Sequence, residues 1–353
     1  MEDIARQARV SRATAAKVLF NTGGSNTRVS KATAERVRRI AEKLDYRPHV
    51  AAQQLAGKPT RLIGVILDAK APNQFTRTLV DIEQIAAARN FLLLVGYVND
   101  SLDQIAEYAK EFRGREVEGV ICLSHNYPEF GQHVPALFRG IPNTVFVRKP
   151  LGGESVPYVT PDFERVGYLG TKHLLDHGRR RIVVLRSQSR YEGMLDWEAG
   201  CQRAVEESGL PSVRSFIWRG PSLRINRRRL VDHCLDEVLP LKPDALFPSN
   251  DESAVWIIRG LYERGIRVPQ DIAVVSGSRQ PFGLGAIPAI TSIDQRERAV
   301  AKRAAKMVFE MIEGATPAVR ESPGILVKPR LVVAESCGAR KKASIQQAKP
   351  RKA

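Results

Sequence analysis

The sequence predicts an α/β protein, with a small three-helix head ahead of a larger body of parallel sheets layered with helices. Three observations carry this. Residues 1–46 hold three short helical patterns and no strand pattern. From Arg61 onward, short Val/Ile/Leu runs alternate with amphipathic stretches, as buried parallel strands and their crossover helices do. Eight such runs are too many for one compact sheet of this kind, so the body divides into two subdomains.

In the head, residues 2–8 place Ile4, Ala5 and Ala8 on one face. After Arg9-Val10, Ser11 can cap a second helix, RATAAKVLF, by accepting from a backbone N–H that the first turn leaves unpaired. Ser30 does the same for a third helix from about Lys31 to Leu44, where Val37, Ile40, Ala41 and Leu44 follow i, i+3, i+4, i+7. Glu35 stands four residues before Arg39 on a solvated outer face. Two short helices, a tight turn and a third closing helix describe a helix-turn-helix unit, whose second helix enters the DNA major groove by its N-terminal part. Arg12, Ala13 and Lys17 would then face base edges, since arginine pairs with guanine and alanine admits a thymine methyl. Ser11, Thr14 and Asn21 suit phosphate contacts. From spacing alone, a plain three-helix cap with a basic solvated face fits as well. Val50 to Ala56, between Pro48 and Gly57, carries helix start and stop signals. It spans two turns, however, and isolated helices below ~12–15 residues are marginal in water.

In the body, strands are expected at 61–67, 91–96, 117–123, 143–147, 181–186, 213–218, 244–247 and 271–276. Helices are expected near 76–89, 101–113, 163–177, 195–208, 225–238, 251–264 and 296–313. The totals agree with a soluble globular chain: 353 residues, 43% hydrophobic and 26% charged. No apolar run approaches the ~20 residues that span a membrane. The start, MEDIARQARV, lacks the apolar stretch of a signal peptide. Cys122, Cys201, Cys234 and Cys337 show no metal or disulfide spacing, which fits a reducing cytoplasm. The net charge of +17 is uneven: residues 1–60 carry +7 and residues 339–353 carry +6. A basic head points to nucleic acid. The tail, 338–353, reads as a disordered aid to solubility.

The body offers little chemistry. HLLDH sets His173 and His177 at the i, i+4 spacing of a zinc helix but lacks the glutamate beside the first histidine, so a surface or packed pair is the reading. There is no GxxxxGK[ST], GxGxxG or GxSxG. Asn250-Asp251, at a strand end, is expected to cap the next helix, with lining a cleft as a second use. No cofactor, metal or catalytic constellation is expected.

Several segments, in order along nearly the whole chain, resemble the lac repressor-type (LacI/GalR) family of bacterial transcription regulators. They are DIARQARVSRATAAKVLFN, RVSKATAERVRRIAEKLDYRP, AAQQLAGKPTRLIGVIL, GIPNTVFV, KHLLDHGRRRIVVL, SNDESAV, RVPQDIAVV and PRLVVAESCG. The resemblance implies a DNA-binding head over 1–46, a hinge helix and linker over 47–60, and a two-lobed periplasmic-binding-protein-like core over 61–337. The lobes would be about 61–159 plus 292–324 and 160–291 plus 325–337, joined by three crossovers around an effector cleft. The hinge helix would order when two copies pair over an operator's minor groove. Leu55 would be the apolar wedge, Ala52 would allow close approach, and Gln53 and His49 would contact DNA. Arg28 would reach the backbone from the loop NTGGSNTR.

The chain departs from the family in places. The threonine that caps the first helix has no counterpart before Asp3-Ile4-Ala5, so the natural start is expected upstream of Met1. The turn glycine is Arg9, which costs about 1 kcal/mol if that position needs φ > 0. The loop NTGGSNTR is longer than usual. In the cleft, Phe75 within APNQF is expected to stack on an effector, and Asp162, Asn250 and Gln295 match the family. The family's arginine falls at Trp197, its aspartate at Ser278 with Arg279 next to it, and an often acidic position is Arg148. Three readings stand side by side. The effector is anionic and held by arginines; or there is none, and Trp197 fills the cleft; or Arg148 and Arg279 only face solvent.

The resulting expectation is a dimeric, sequence-specific DNA-binding regulator, a repressor of carbohydrate-related genes, cytoplasmic and nucleoid-associated. It would bind a near-palindromic double-stranded operator with affinity set by a sugar or anionic sugar derivative in the cleft. The leucine heptad that makes the family's namesake a tetramer is absent after Gly338, hence the dimer. An effector-independent regulator, a solute-binding protein and an α/β enzyme are the rivals.

Overall fold

The computed structural model describes residues 1–20, 29–46, 57–69, 73–127, 129–153, 155–187, 192–210, 214–220, 227–314 and 324–339, with 73–76, 187, 192, 214, 215, 220 and 227 by backbone alone. The chain forms two compact units, Met1–Arg61 and Leu62–Ala353.

The head contains α1 (Glu2–Gln7), α2 (Arg12–Phe20) and α3 (Lys31–Lys43). Ile4, Ala5, Ala8, Ala15, Val18, Val37 and Ala41 make its core. Leu44 is a correction to the expected apolar stripe: it is the C-cap of α3 and 43% exposed, because the helix ends before its side chain comes over the core. Ser30 caps α3 as expected, its hydroxyl accepting from Thr33 N–H at 3.2 Å. No side chain caps α1. The turn after α1 does place Arg9 in the left-handed region, at φ 51. Arg9 N–H donates to Arg6 O at 3.2 Å and Val10 N–H to Ala5 O at 3.0 Å, the paired bonds that close a helix through a left-handed residue. Arg36 on α3 donates to Ala8 O at 3.0 Å and fixes that turn to the third helix.

The larger unit holds two six-stranded sheets. The first is ordered β11-β5-β4-β3-β1-β2, with β1 (Leu62–Asp68), β2 (Leu92–Val98), β3 (Gly119–Cys122), β4 (Thr144–Val147), β5 (Tyr158–Pro161) and β11 (Gly324–Val327). All its pairings are parallel. The second is ordered β12-β10-β9-β8-β6-β7, with β6 (Arg181–Ser187), β7 (Arg214–Gly220), β8 (Ala245–Pro248), β9 (Ala273–Ser276), β10 (Thr291–Asp294) and β12 (Arg330–Val332). Here only β12 runs antiparallel, against β10. Helices cover both faces of each sheet, so the strands are buried on both sides and read as unbroken Val/Ile/Leu runs. In the first lobe, α4 (Asn73–Ala87) and a later helix, Glu297–Ile312, cover one face, and α5 (Leu102–Gly114) with the short α6 (Val134–Leu137) the other. In the second, α7 (Phe163–Asp176) and α8 (Glu192–Glu207) cover one face and α9 (Arg227–Val238) with α10 (Asp251–Glu263) the other. The short α11 (Pro281–Leu284) follows, and the helix Glu297–Ile312 is α12.

Eight strands and seven body helices fall where the apolar runs predict them. Strands β5, β10, β11 and β12 were not legible: each has three or four residues, too few to show a period, and β11 and β12 are only partly buried. The chain passes between lobes at 161–163, 294–297 and 327–330, against expected bounds at 159/160, 291/292 and 324/325. These crossovers leave the carboxyl ends of β5, β10 and β11, so the carboxyl edges of both sheets face the junction.

Candidate functional site

The head presents the first turn of α2. Ser11 Oγ accepts from Thr14 N–H at 3.1 Å and pairs with Thr14 Oγ1 at 2.8 Å, which fixes the start of the helix. Ala15 and Val18 are buried, which turns Arg12 and Ala13 outward. The Arg12 guanidinium lies 3.5 Å from Glu2 and is otherwise solvated. Lys17 stands one turn further on and is half-buried. Ser11, Arg12, Ala13, Thr14 and Lys17 therefore come together on one short helix. Asn21, Arg28, His49, Ala52, Gln53 and Leu55 lie outside the described residues.

The junction of the lobes is the second site. In open parallel sheets, ligands bind at the carboxyl ends of strands where the strand order reverses direction. That point lies between β1 and β3 in the first sheet and between β6 and β8 in the second. Asn250 follows β8 and accepts from Ser253 N–H at 2.9 Å, capping α10 as expected. Ser278 follows β9, is buried, and accepts from Asp251 N–H at 3.3 Å. Gln295 follows β10, is buried, and donates to Gly277 O at 2.5 Å. These three gather at the edge of the second sheet. Arg279 is half-buried beside them and makes no hydrogen bond or ion pair among the described residues.

Asp162 caps α7, accepting from Arg165 N–H at 2.9 Å, while its own N–H donates to Val327 O at 3.1 Å and so ties two crossovers together. Arg148 directly follows β4 at φ 77, a conformation that costs a non-glycine residue about 1–3 kcal/mol. Its side chain donates to Glu297 at 3.3 Å and lies over the Phe163 ring at 5.6 Å. Trp197 stands apart from these residues. It is 1% exposed in the apolar core of the second lobe, edge-to-face on Phe247 at 4.9 Å. Phe75 lies in the first turn of α4.

Asp251, read in the sequence together with Asn250, also lies at the junction, whereas His125, Arg186 and Glu297 were missed by sequence reasoning. Asp251 is fully buried. It accepts from Gln280 N–H at 2.6 Å, and burial pushes its carboxyl up to about 6. His125, just past β3, donates through Nε2 to Val147 O at 2.8 Å, and burial holds it down at about 4, so it is neutral. Arg186, near the end of β6, is buried and paired with Glu198, which also takes Arg219 at 2.8 Å. An arginine inside the apolar run IVVLRS was the available signal for that cluster. Glu297 had none, since it meets Arg148 across 149 positions.

Elsewhere, His173 and His177 form a packed pair with ring centroids 4.3 Å apart. Burial holds His173 at about 4 and therefore neutral. No group of three or more His, Cys, Asp or Glu among the described residues could hold a metal ion. Burial pushes the Cys122, Cys201 and Cys234 thiols up to about 12, so they are unreactive packing groups. No helix among the described residues is long and apolar enough to cross a membrane.

A helix-turn-helix unit and, in the same chain, a two-lobed core of parallel sheets with a polar junction between the lobes define a DNA-binding regulator with a ligand-binding type of core. Comparison with known proteins agrees. The model for bacterial regulatory proteins of the lacI family matches residues 1–49, and that for a periplasmic binding protein-like domain matches 171–337. Catabolite control protein A of Priestia megaterium is 29% identical over 300 residues, covering 83% of this chain and 86% of that one. The HTH-type transcriptional repressor PurR of Pasteurella multocida is 25% identical over 349 residues, covering 96% and 99%. The lac repressor dimer bound to operator and the anti-inducer ONPF superposes with a TM-score of 0.77 at 22% identity, over 96% of this chain and 98% of that one. The complex of the transcriptional regulator CelR with cellobiose gives 0.69 at 24% identity, over 95% and 98%. The chain belongs to the lacI family of bacterial regulatory proteins and is a DNA-binding transcriptional regulator.

Proposed function

We propose that this regulator represses carbohydrate-related genes from the cytoplasm, without enzymatic activity. Two copies of the head would read two halves of a near-palindromic operator, while a small molecule at the lobe junction sets the affinity. The observation that carries the reading is the exposed first turn of α2, where Arg12 and Ala13 face outward over a packed three-helix core. Ser11, Thr14, Asn21 and Arg28 would position the phosphates, and Lys17 would reach base edges. Residues 47–60 would form the hinge, with His49, Ala52, Gln53 and the Leu55 wedge over the minor groove. Phe75, Asp162, Asn250, Ser278, Arg279 and Gln295 would line the effector cleft, with Arg148 at its hinge and Trp197 supporting it from the core. Dimerisation is supported by apolar surface on the core: Leu92 and Tyr97 on the edge strand β2 are exposed, as is Ile287. The named complexes of relatives, a dimer on an operator and a regulator with a sugar, support the same reading.

The test is selection of bound duplexes from a random-sequence pool by the full chain. The expected result is a near-palindrome whose half-sites change when Arg12 is replaced by alanine. Enrichment of no sequence, or of one that Arg12→Ala leaves unchanged, contradicts the reading. Leu55→Ala is expected to keep the fold but lose operator affinity and bending. Light scattering is expected to report a dimer, and a salt-stable tetramer would count against it.

A further inference from the structure

Two guanidinium groups stand at the junction of the lobes in opposite situations. Arg148, at the end of β4, pairs with Glu297 at 3.3 Å and covers the Phe163 ring. Glu297 opens α12 and Phe163 opens α7, so they are the first helical residues after two of the three crossovers. One arginine thus grips two of the three connections between the lobes. Arg279, past β9 in the second lobe, is half-buried and makes no hydrogen bond or ion pair among the described residues. Removing a guanidinium from water is costly unless an anion or a set of acceptors replaces the water. The nearby groups supply little of that. The Ser278 hydroxyl is engaged by Asp251 N–H, and Asp251, the acid whose charge Arg279 feels, accepts from Gln280 N–H and makes no ion pair with Arg279. Burial also favours the protonated form of Asp251, which weakens it as a counter-ion.

Resting on the reading that the junction holds an effector, we propose that this effector carries a carboxylate or phosphate that pairs with Arg279 and displaces Glu297 from Arg148. Glu297 shows what the Arg148 guanidinium accepts, because it already seats a carboxylate there. An incoming anion takes over that seat and releases the head of α12, so the grip on the two crossovers changes. Anion binding and lobe angle are then one coupled event, in which a carboxylate of the chain is exchanged for one of the ligand. An arginine fork accepts a carboxylate and a phosphate alike.

The experiment uses the full chain and three variants, Glu297→Gln, Arg148→Gln and Arg279→Gln, titrated with inorganic phosphate and separately with acetate. Chloride holds the ionic strength constant, and the readout is the thermal midpoint. Because the basic head also takes phosphate, only differences between proteins count. Glu297→Gln is expected to need about fivefold less phosphate for the same shift, and the two arginine variants about fivefold more. Arg279→Lys, which keeps the charge and loses the fork, is expected to fall between wild type and Arg279→Gln and stands in if Arg279→Gln does not fold. Acetate acting as well as phosphate identifies a carboxylate effector, and phosphate acting alone a phosphorylated one. A midpoint that responds alike in all the proteins, or in none, overturns the proposal. Binding of the same proteins to the selected duplex is measured without phosphate or acetate: its loss in the wild type sinks the regulator reading and leaves the anion result to stand or fall separately.

Discussion

The two lobes share a strand order but join their paired helices by different means. In the first lobe, α4 and α12 are clasped by charge. Asp81 on α4 is 1% exposed and accepts from Nε and Nη2 of Arg298, each at 2.7 Å, with Lys302 at 3.5 Å. In the second, α7 and α8 meet backbone to backbone, with Gly167 against Trp197 and Gly200 against Glu164, where a Cβ would overlap the facing carbonyl. The buried acids diverge in the same way. The Arg298 hydrogen bond holds Asp81 below the usual carboxylate range, whereas burial outweighs the charge of nearby Arg279 and raises Asp251 to about 6. One topology therefore tolerates opposite local solutions, and the topology does not decide which chemistry lines the junction.

The largest expected effect lies at the glycine crossing. Gly200→Ala forces α7 and α8 apart and is expected to cost about 3 kcal/mol or more in chemical denaturation; a loss under about 1 kcal/mol would mean the helices separate easily and the contrast is false. Asp81→Asn removes the charged clasp and is expected to cost about 2 kcal/mol near neutral pH. Because the Asp81 pKa is lowered on folding, its contribution is present above the ordinary 3.8 and lost as pH falls through its lower folded value. The Asn variant should therefore lose that acid limb.

Asp251 is expected to act in the opposite direction. Its pKa is raised, so the stability it lends is complete below 3.8 and lost as pH rises through about 6. Asp251→Asn should flatten the stability profile between those values by about 1–2 kcal/mol. If both aspartate variants change the profile with the same sign, the comparison fails. Outside both lobes, Arg9→Gly should relieve the left-handed residue at φ 51 and stabilise the head by about 1 kcal/mol, seen as slower amide exchange in α1 and α2 alone.

What was legible in the sequence follows from how each feature is encoded. Long apolar runs mark β1 or β6 because both faces of those strands are buried, and Ser11, Ser30 and Asn250 announce helix starts by chemistry local to the chain. β11 and β12 are too short and too exposed for such a signal. The junction was least legible. Arg148 was noted as a cation near the cleft, but its partner Glu297 and its ring Phe163 come from other elements that only the fold brings together. The family resemblance puts Trp197 at a cleft position, and its ring packs on Phe247 in the core of the second lobe. Residue type reveals what a side chain can do, whereas its partner is set by tertiary contacts that leave no periodic trace.

The central claim is that this basic head binds duplex DNA through many phosphate contacts. The most direct test is the affinity of the full chain for its selected duplex as salt is raised. Log affinity is expected to fall linearly with log salt, at a slope of about −0.9 for each phosphate neutralised, and to flatten by about one such step per head when Arg28 is replaced by alanine. An affinity that does not change with salt, or no binding at all, would contradict the account.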